Sequence, residues 1–504
     1  MDSQNTPPSD GGPSTSQIPD LIRIGSVSTD TAINVQTDVL DPVIFSQGET
    51  RFVLENKGIL HSNSRITFAT IAAGDATDGR AFFPANVGIN SLIQRAALRV
   101  GTKTVCEIED FAHFCAYETT FLPPDAIKER EQVMSGRFLT IQAQLQERSA
   151  SFASASNQAL NTESITESKS ISVDNGKDPL IVADFGKDLF RPIKAADIPE
   201  TTGTIWDYQQ ERNAPTFSIL LADLFPFLKI NQLPLFMMSE QVSIHLTFTP
   251  RSGTGLTSDR LTVSNTNAVA MTADTFIDRT STQMVADYIF YPQDMMEQYR
   301  QQNSNMTFNY VDYQFMKRTV STAEYAAGLI QNVGGAGRIV NKIFVGAEGI
   351  AGKAEQLLNS YSAVGPVTTA QTVGKVTSNL KYNDNFLYPI DVSNNARHYH
   401  NVFQSEGRMP YISRDLYRGE GQLATDQTTT PGSVDFEGYA ADPQLSSRLF
   451  YTAYRLNKGE RVNSRGIELY DTRSLMDATT TLRVWLQVVR MASLRDGMLE
   501  IAYA

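Results

Sequence analysis

His398 and His400 are the closest pair among five histidines, and paired imidazoles are a common beginning of a metal site. Two residues apart, they share a face on a strand and could both ligate, whereas on a helix they diverge by about 200 degrees and could not. No cysteine stands near enough to complete a ligand set, so a polar or interface role is expected and no metal is assigned. Gly346-Ala-Glu-Gly-Ile-Ala-Gly352-Lys353-Ala354 imitates a phosphate-binding loop, but it has five intervening residues instead of four. Ala354 also stands where a Ser or Thr would hold magnesium. Gly334-Gly335-Ala336-Gly337 lacks the third glycine and the later acidic partner of a dinucleotide fold, and reads as a loop entering the strand at Arg338.

Glu107, Glu109 and Asp110 are close enough for acid and base work, yet they precede Ile108, Phe111, Ala112, Cys115 and Ala116, which recur at helical spacing. They are expected in the first turn of a short helix, where its dipole favours negative charge. His113 falls among apolar neighbours and is expected to be a satisfied, partly buried imidazole; His245 is expected on the polar face of a strand. Arg95, Arg99 and Lys103 form one basic group and Arg461, Arg465 and Arg473 another, both read as solvated faces or salt-bridge sites. No Gly-x-Ser-x-Gly elbow occurs. The residues therefore indicate no catalytic, cofactor-binding or metal site, and the chain is not read as an enzyme. Sequence alone cannot pair distant carboxylates, so a carbohydrate-binding or glycan-processing β-sandwich stays open as the alternative.

The elements around these residues are strands. Val242, Ile244, Leu246 and Phe248 alternate with Ser243, His245, Thr247 and Thr249, and Leu482, Val484, Leu486 and Val488 alternate with Arg483, Trp485 and Gln487. Period two puts each apolar set on one face, so two half-buried sheets in two β domains are predicted. Further strands are expected at Arg51–Glu55, Arg65–Ala72, Leu92–Val100, Phe217–Leu221, Met284–Tyr291, Met306–Lys317, Arg338–Val345, Leu387–Ile390, Leu449–Arg455, Gly466–Tyr470 and Met498–Tyr503. Gly101-Thr-Lys103 reads as a hairpin turn, and Asn395–Gln404 as a helix.

At 504 residues the chain exceeds one core, and two domains are the simplest division. We expect an N-terminal arm over 1–20, a first domain over 21–292, a helical linker over 293–302 and a second domain over 303–504. The arm is Pro-, Ser- and Gly-rich with no Lys or Arg, which excludes a nucleic-acid arm. Gln146–Asp178, Arg251–Thr282 and Gly352–Ser378 are expected as elaborated polar surface loops with small strands inside. A net charge of −12 argues against a surface that coats nucleic acid. Two cysteines, Cys106 and Cys115, are too few for a disulfide framework and are expected as free thiols. No apolar run is long enough to span a membrane, and the first residues lack a secretory signal, so cytosolic synthesis is expected. Phe225, Phe227 and Phe236, in a stretch broken by Pro226 and Pro234, are candidates for a rigid apolar corner with a structural or intersubunit role.

The segment Asn90–Phe111, with the helix after it, resembles a region of double jelly-roll major capsid proteins, and Leu221–Leu235 running into the Val242 strand resembles another. The likeness is to the capsid proteins of polinton-like viruses and virophages, and it is clearest in the first half. It implies an all-β chain of two tandem eight-stranded jelly-roll sandwiches, with short helices and long loop insertions. It also implies a homotrimer forming a pseudo-hexagonal capsomer, which tiles an icosahedral virion shell around double-stranded DNA. Partners implied are neighbouring capsomers and penton and minor capsid proteins, with no sequence-specific nucleic-acid binding and no cofactor. Synthesis in the host cytoplasm or at intracellular virus factories would follow.

Overall fold

The structure is a computed structural model that describes residues 34–69, 87–118, 130–131, 134–135, 216–229, 233–249, 277, 279–349, 376–406, 451–456, 459–473 and 479–503. The expected arm over 1–20, the loop Gln146–Asp178 and nearly all of Arg251–Thr282 and Gly352–Ser378 lie outside them.

Among the described residues, ten strands precede residue 292: β1 (Asn34–Leu40), β2 (Ile44–Phe45), β3 (Glu49–Leu54), β4 (Ile59–Leu60), β5 (Arg65–Ala69), β6 (Ile93–Val100), β7 (Lys103–Glu109), β8 (Thr216–Leu220), β9 (Val242–Phe248) and β10 (Gln283–Phe290). They form two antiparallel sheets, β1-β10-β5-β8 with β4 also on β10, and β2-β3-β9-β6-β7. Nine follow: β11 (Asn305–Val320), β12 (Leu329–Gly334), β13 (Val340–Gly349), β14 (Val376–Tyr382), β15 (Asn385–Phe386), β16 (Thr452–Arg455), β17 (Ile467–Arg473), β18 (Thr480–Arg495) and β19 (Met498–Tyr503). Their sheets are β11-β18-β13-β16, with β19 also on β18, and β12-β17-β14-β15.

Set aside β2, β4 and β19, and each half has eight strands with one shared order. In chain order, the first sheet of each half runs first, eighth, third, sixth, and the second runs second, seventh, fourth, fifth. This is the jelly roll, in which long connections interleave strands from both ends of the chain. The two β domains expected from the strand pattern thus repeat one topology.

The local chemistry explains the elements. Inward Phe52, Leu54, Ala96, Leu98, Val242, Ile244 and Leu246 fill the first sandwich, and Val345, Leu380, Leu469, Leu482, Val484 and Leu486 the second. Gly101, at φ 58°, makes the tight β6–β7 turn that was expected there. Helix α1 is Phe111–Glu118, and α2 (Leu221–Leu224) follows β8. Helix α3 (Gln293–Gln302) joins the halves, α4 (Thr322–Ala327) carries a Ser321/Glu324 capping box, and α5 is Asn395–Glu406.

Three expectations are corrected. Glu107 and Glu109 lie on β7 rather than in a helix, and α1 begins only after Asp110, which takes φ 51° at the sharp strand-to-helix turn. Leu387–Ile390 is not a strand: Pro389 has no N–H to give a ladder, and Ile390 stands exposed. The β18 sheet is not half-buried, because Arg483 and Trp485 are as inaccessible as Leu482 and Val484.

Candidate functional site

What covers the second face of β18 is the first roll. Strand β7 and helix α1 lie against β11 and β18, and one hydrophobic cluster runs without interruption from the first sandwich to Tyr310, Tyr313, Phe344, Tyr451 and Trp485 of the second. Phe114 meets Tyr313 edge-on at 4.7 Å, and Tyr117 meets Tyr451 at 4.7 Å and Trp485 at 5.7 Å. Edge contacts of this kind add to area burial, so this aromatic layer holds the rolls in one arrangement.

Backbone groups are used across the same seam. Trp485 donates its indole N–H to the Glu109 carbonyl at 3.0 Å, and Tyr310 donates its hydroxyl to Val105 at 2.7 Å. The Glu107 N–H donates to Asp312 at 3.0 Å, and Arg490 reaches Thr104 while pairing with Asp312. Further along, Lys103 donates to the Leu499 carbonyl, and Ser239 and Gly497 bind each other through two hydrogen bonds.

At the centre sits a closed charge cluster. His113 Nδ1 is 2.5 Å from Asp110 and its Nε2 is 2.5 Å from Glu348, while Arg483 is 2.6 Å from Asp110 and 3.1 Å from Glu348. The His113 and Arg483 side chains are 0% exposed and those of Glu348 and Asp110 3% and 13%. With a carboxylate on each nitrogen, the imidazole is placed to donate twice, as imidazolium, so two positive groups face two negative ones. Burial alone would raise the Asp110 carboxyl, but His113 and Arg483 outweigh it and hold it far below the usual carboxylate range. The geometry of the cluster suits fastening: Asp110 and His113 come from the first roll, Glu348 and Arg483 from the second.

Gly346 is part of this seam and explains its own neighbourhood. It lies within β13, and a Cβ there would collide with the Tyr117 hydroxyl, so glycine is what lets α1 approach the strand. The glycine run that imitated a nucleotide loop starts as close packing. Gly334, the last residue of β12, and Gly335 and Gly337 in the turn that follows all take positive φ, as a loop entering a strand requires.

The remaining expected site residues are spread out. His398 and His400 lie on α5, where they diverge: His398 is buried with Nε2 3.1 Å from the Val376 carbonyl, and His400 is exposed beside Phe403. Cys106 and Cys115 are buried thiols that form no disulfide with each other. Arg473 is buried against Asp471 and under Tyr325, whereas Arg465 pairs with Asp384 at the surface, so these do not form a patch. Arg95 and Arg99 share a sheet face that Lys103 leaves.

The proline-bounded corner connects β8 to β9 and closes one end of the first roll. Phe225 and Phe227 are buried and Pro234 is buried, Pro226 opens a short 3-10 turn, and Phe236 is half-buried. Phe227 lies 5.7 Å from Tyr310 of β11, and Phe236 6.2 Å from Tyr299 of α3. The corner therefore touches both the connecting helix and the second roll.

Two sandwiches of one strand order, fused through a buried seam, define a double jelly-roll protein. No family model and no curated protein matches the sequence. Among solved structures, the chain is similar to the PBCV-1 virus capsid at 11% identity and a TM-score of 0.52, covering 96% of this chain and 100% of that one. The Sputnik virophage structure aligns at 10% identity and 0.48 over 97% and 92%, and the mavirus major capsid protein at 9% and 0.47 over 100% and 96%. At such identities the likeness to the PBCV-1 capsid bears on the fold, and it spans both rolls.

Proposed function

We propose that this chain is a major capsid protein, of the kind built by polinton-like viruses and virophages, whose trimers are the pseudo-hexagonal units of an icosahedral shell around double-stranded DNA. The observation that carries the reading is the repeated strand order locked into one body by the Asp110–His113–Glu348–Arg483 seam. Three chains, each with two rigidly joined lobes, place six lobes around a threefold axis, which is a hexagonal tile. The likeness to the PBCV-1 capsid over both rolls supports the same reading.

In this reading the first roll spans 21–292 and the second 303–504, with α3 as the connector. The Phe225–Phe236 corner stiffens the end where connector and rolls meet, and half-buried Phe236 remains for a neighbour. Val35, Val39, Val43 and Ile44 are exposed along the β1 and β2 flank, and an outer strand bearing such residues favours cover by another subunit. Neighbouring capsomers and penton and minor capsid proteins are the partners, the virion shell is the location, and synthesis takes place in the host cytoplasm or at virus factories. Catalysis is no part of the role.

Negative-stain images of the purified protein test this. Six-lobed particles about 70–90 Å wide are expected from three pairs of domains of this length. Two-lobed single chains at all concentrations would overturn it.

A further inference from the structure

The outer face of the β2-β3-β9-β6-β7 sheet carries a group of cations that the seam does not use. Arg51 on β3 stands opposite His245 on β9, and Arg99 on β6 stands opposite Ser243 on the same strand. Alternation sends Arg51, Arg95, Arg99, Ser243 and His245 away from the side taken by Phe52, Ile244 and Leu98. They converge there: burial first, and then Arg99, Arg51 and Arg95, hold the His245 imidazole down at about 4. Glu49, Glu107 and Glu109 share this face, opposite Thr247, Ala97 and Arg95, while the charges acting on His245 are those of the arginines.

Arg95 is answered by Glu107 at 3.1 Å. Arg51 and Arg99 have no ion pair among the described residues, and each has an Nε shut away from solvent without an acceptor. Both side chains keep partial exposure, so an anion arriving from solvent would meet two guanidinium groups without a carboxylate partner. Ser243 Oγ and His245 Nε2, 3.0 Å apart, form the floor between them, and Ala97 beside His245 adds only a methyl.

The geometry points to an oxyanion seat over His245, flanked by Arg51 and Arg99, for a ligand of the phosphate class. A carboxylate has two oxygens in one plane, and a single guanidinium fork occupies both. An anion reached from β3 and β6, strands about 10 Å apart on either side of β9, needs oxygens pointing in several directions, as a tetrahedral phosphate has. Free phosphate and the phosphodiester of a nucleic acid share this chemistry. The seat does not rest on the proposed capsid role, because its residues all come from one sheet of one chain.

The test is titration of inorganic phosphate into the full chain at constant ionic strength, followed by calorimetry and by the NMR signal of His245. Saturable binding that moves this signal is expected, with R51Q and R99Q each weakening it about tenfold or more and R495Q, at an exposed site on the β18–β19 hairpin, leaving it unchanged. The charge-keeping R51K and R99K variants should bind more weakly than wild type, because they lose the fork. Thermal unfolding of every variant separates lost binding from lost folding. A short single-stranded DNA that displaces phosphate assigns the source to a polyanion, and one that does not assigns it to the free ion; either upholds the seat. Absence of saturable phosphate binding, or binding undiminished in a folded R51Q/R99Q variant, overturns it.

Discussion

Strands β9 and β18 have nearly the same alternation, yet they end in different environments. The inward residues of β9 are buried and its outward His245 and Thr247 keep partial exposure, whereas β18 buries Arg483 and Trp485 as completely as Leu482 and Leu486. The difference is a neighbour: nothing of comparable size lies on β9 among the described residues, while β7 and α1 of the other roll cover β18. An alternating strand therefore reports which face meets its own sandwich. It does not report whether a second domain will cover the other.

This contrast can be broken most strongly at Arg483. Its replacement by Met leaves Asp110 and Glu348 facing only His113 in a buried site, and a loss of about 3–5 kcal/mol in denaturant unfolding is expected. A smaller loss, about 1–3 kcal/mol, is expected for Gly346→Ala, whose new methyl meets Tyr117. The Tyr117→Phe background should relieve part of it, and a double-mutant cycle measures the coupling.

The two faces also separate by pH. Asp110 has a folded value depressed below its ordinary 3.8, so its contribution is fully present above that value and is lost as pH falls below it; Asp110→Asn should flatten this acid limb of the stability curve. His245 is depressed from 6.5 to about 4, so its contribution is present above 6.5 and declines between those values as pH falls. His245→Gln should remove that earlier slope. At neutral pH it should shift stability least of all, by about 0.5 kcal/mol or less, since β9 carries no roll on that face.

Much of the scaffold was legible. Strands β6, β9, β10, β11, β17 and β18 announced themselves through apolar alternation, and Gly101 marked its hairpin. Strand β1, Asn-Val-Gln-Thr-Asp-Val-Leu, was invisible because it is exposed on nearly every residue and needs no apolar face. Strands β12 and β14 carry Gln, Asn and Lys among few apolar residues, and β14 begins inside a stretch expected as a polar surface loop with small strands inside.

The seam was the least legible part. His113 was expected to be satisfied and partly buried, and it is fully buried; but one of its two partners, Glu348, is 235 residues away, and no local pattern links them. Two signals stood in the sequence without a reason attached: an arginine and a tryptophan on the polar face of β18, and a glycine within β13. Both are what a second packed surface leaves behind. The Phe225–Phe236 corner was visible from its prolines, but whether its rings face a neighbour or the same chain depends on Tyr299 and Tyr310, which lie far along the sequence.

The central claim is that two rolls locked into one body assemble as threes, and native mass spectrometry of the full chain tests it most directly. The account predicts a dominant species at three times the 55.7 kDa chain mass, persisting on dilution. A single-chain mass at every concentration, for protein that remains folded, would contradict it.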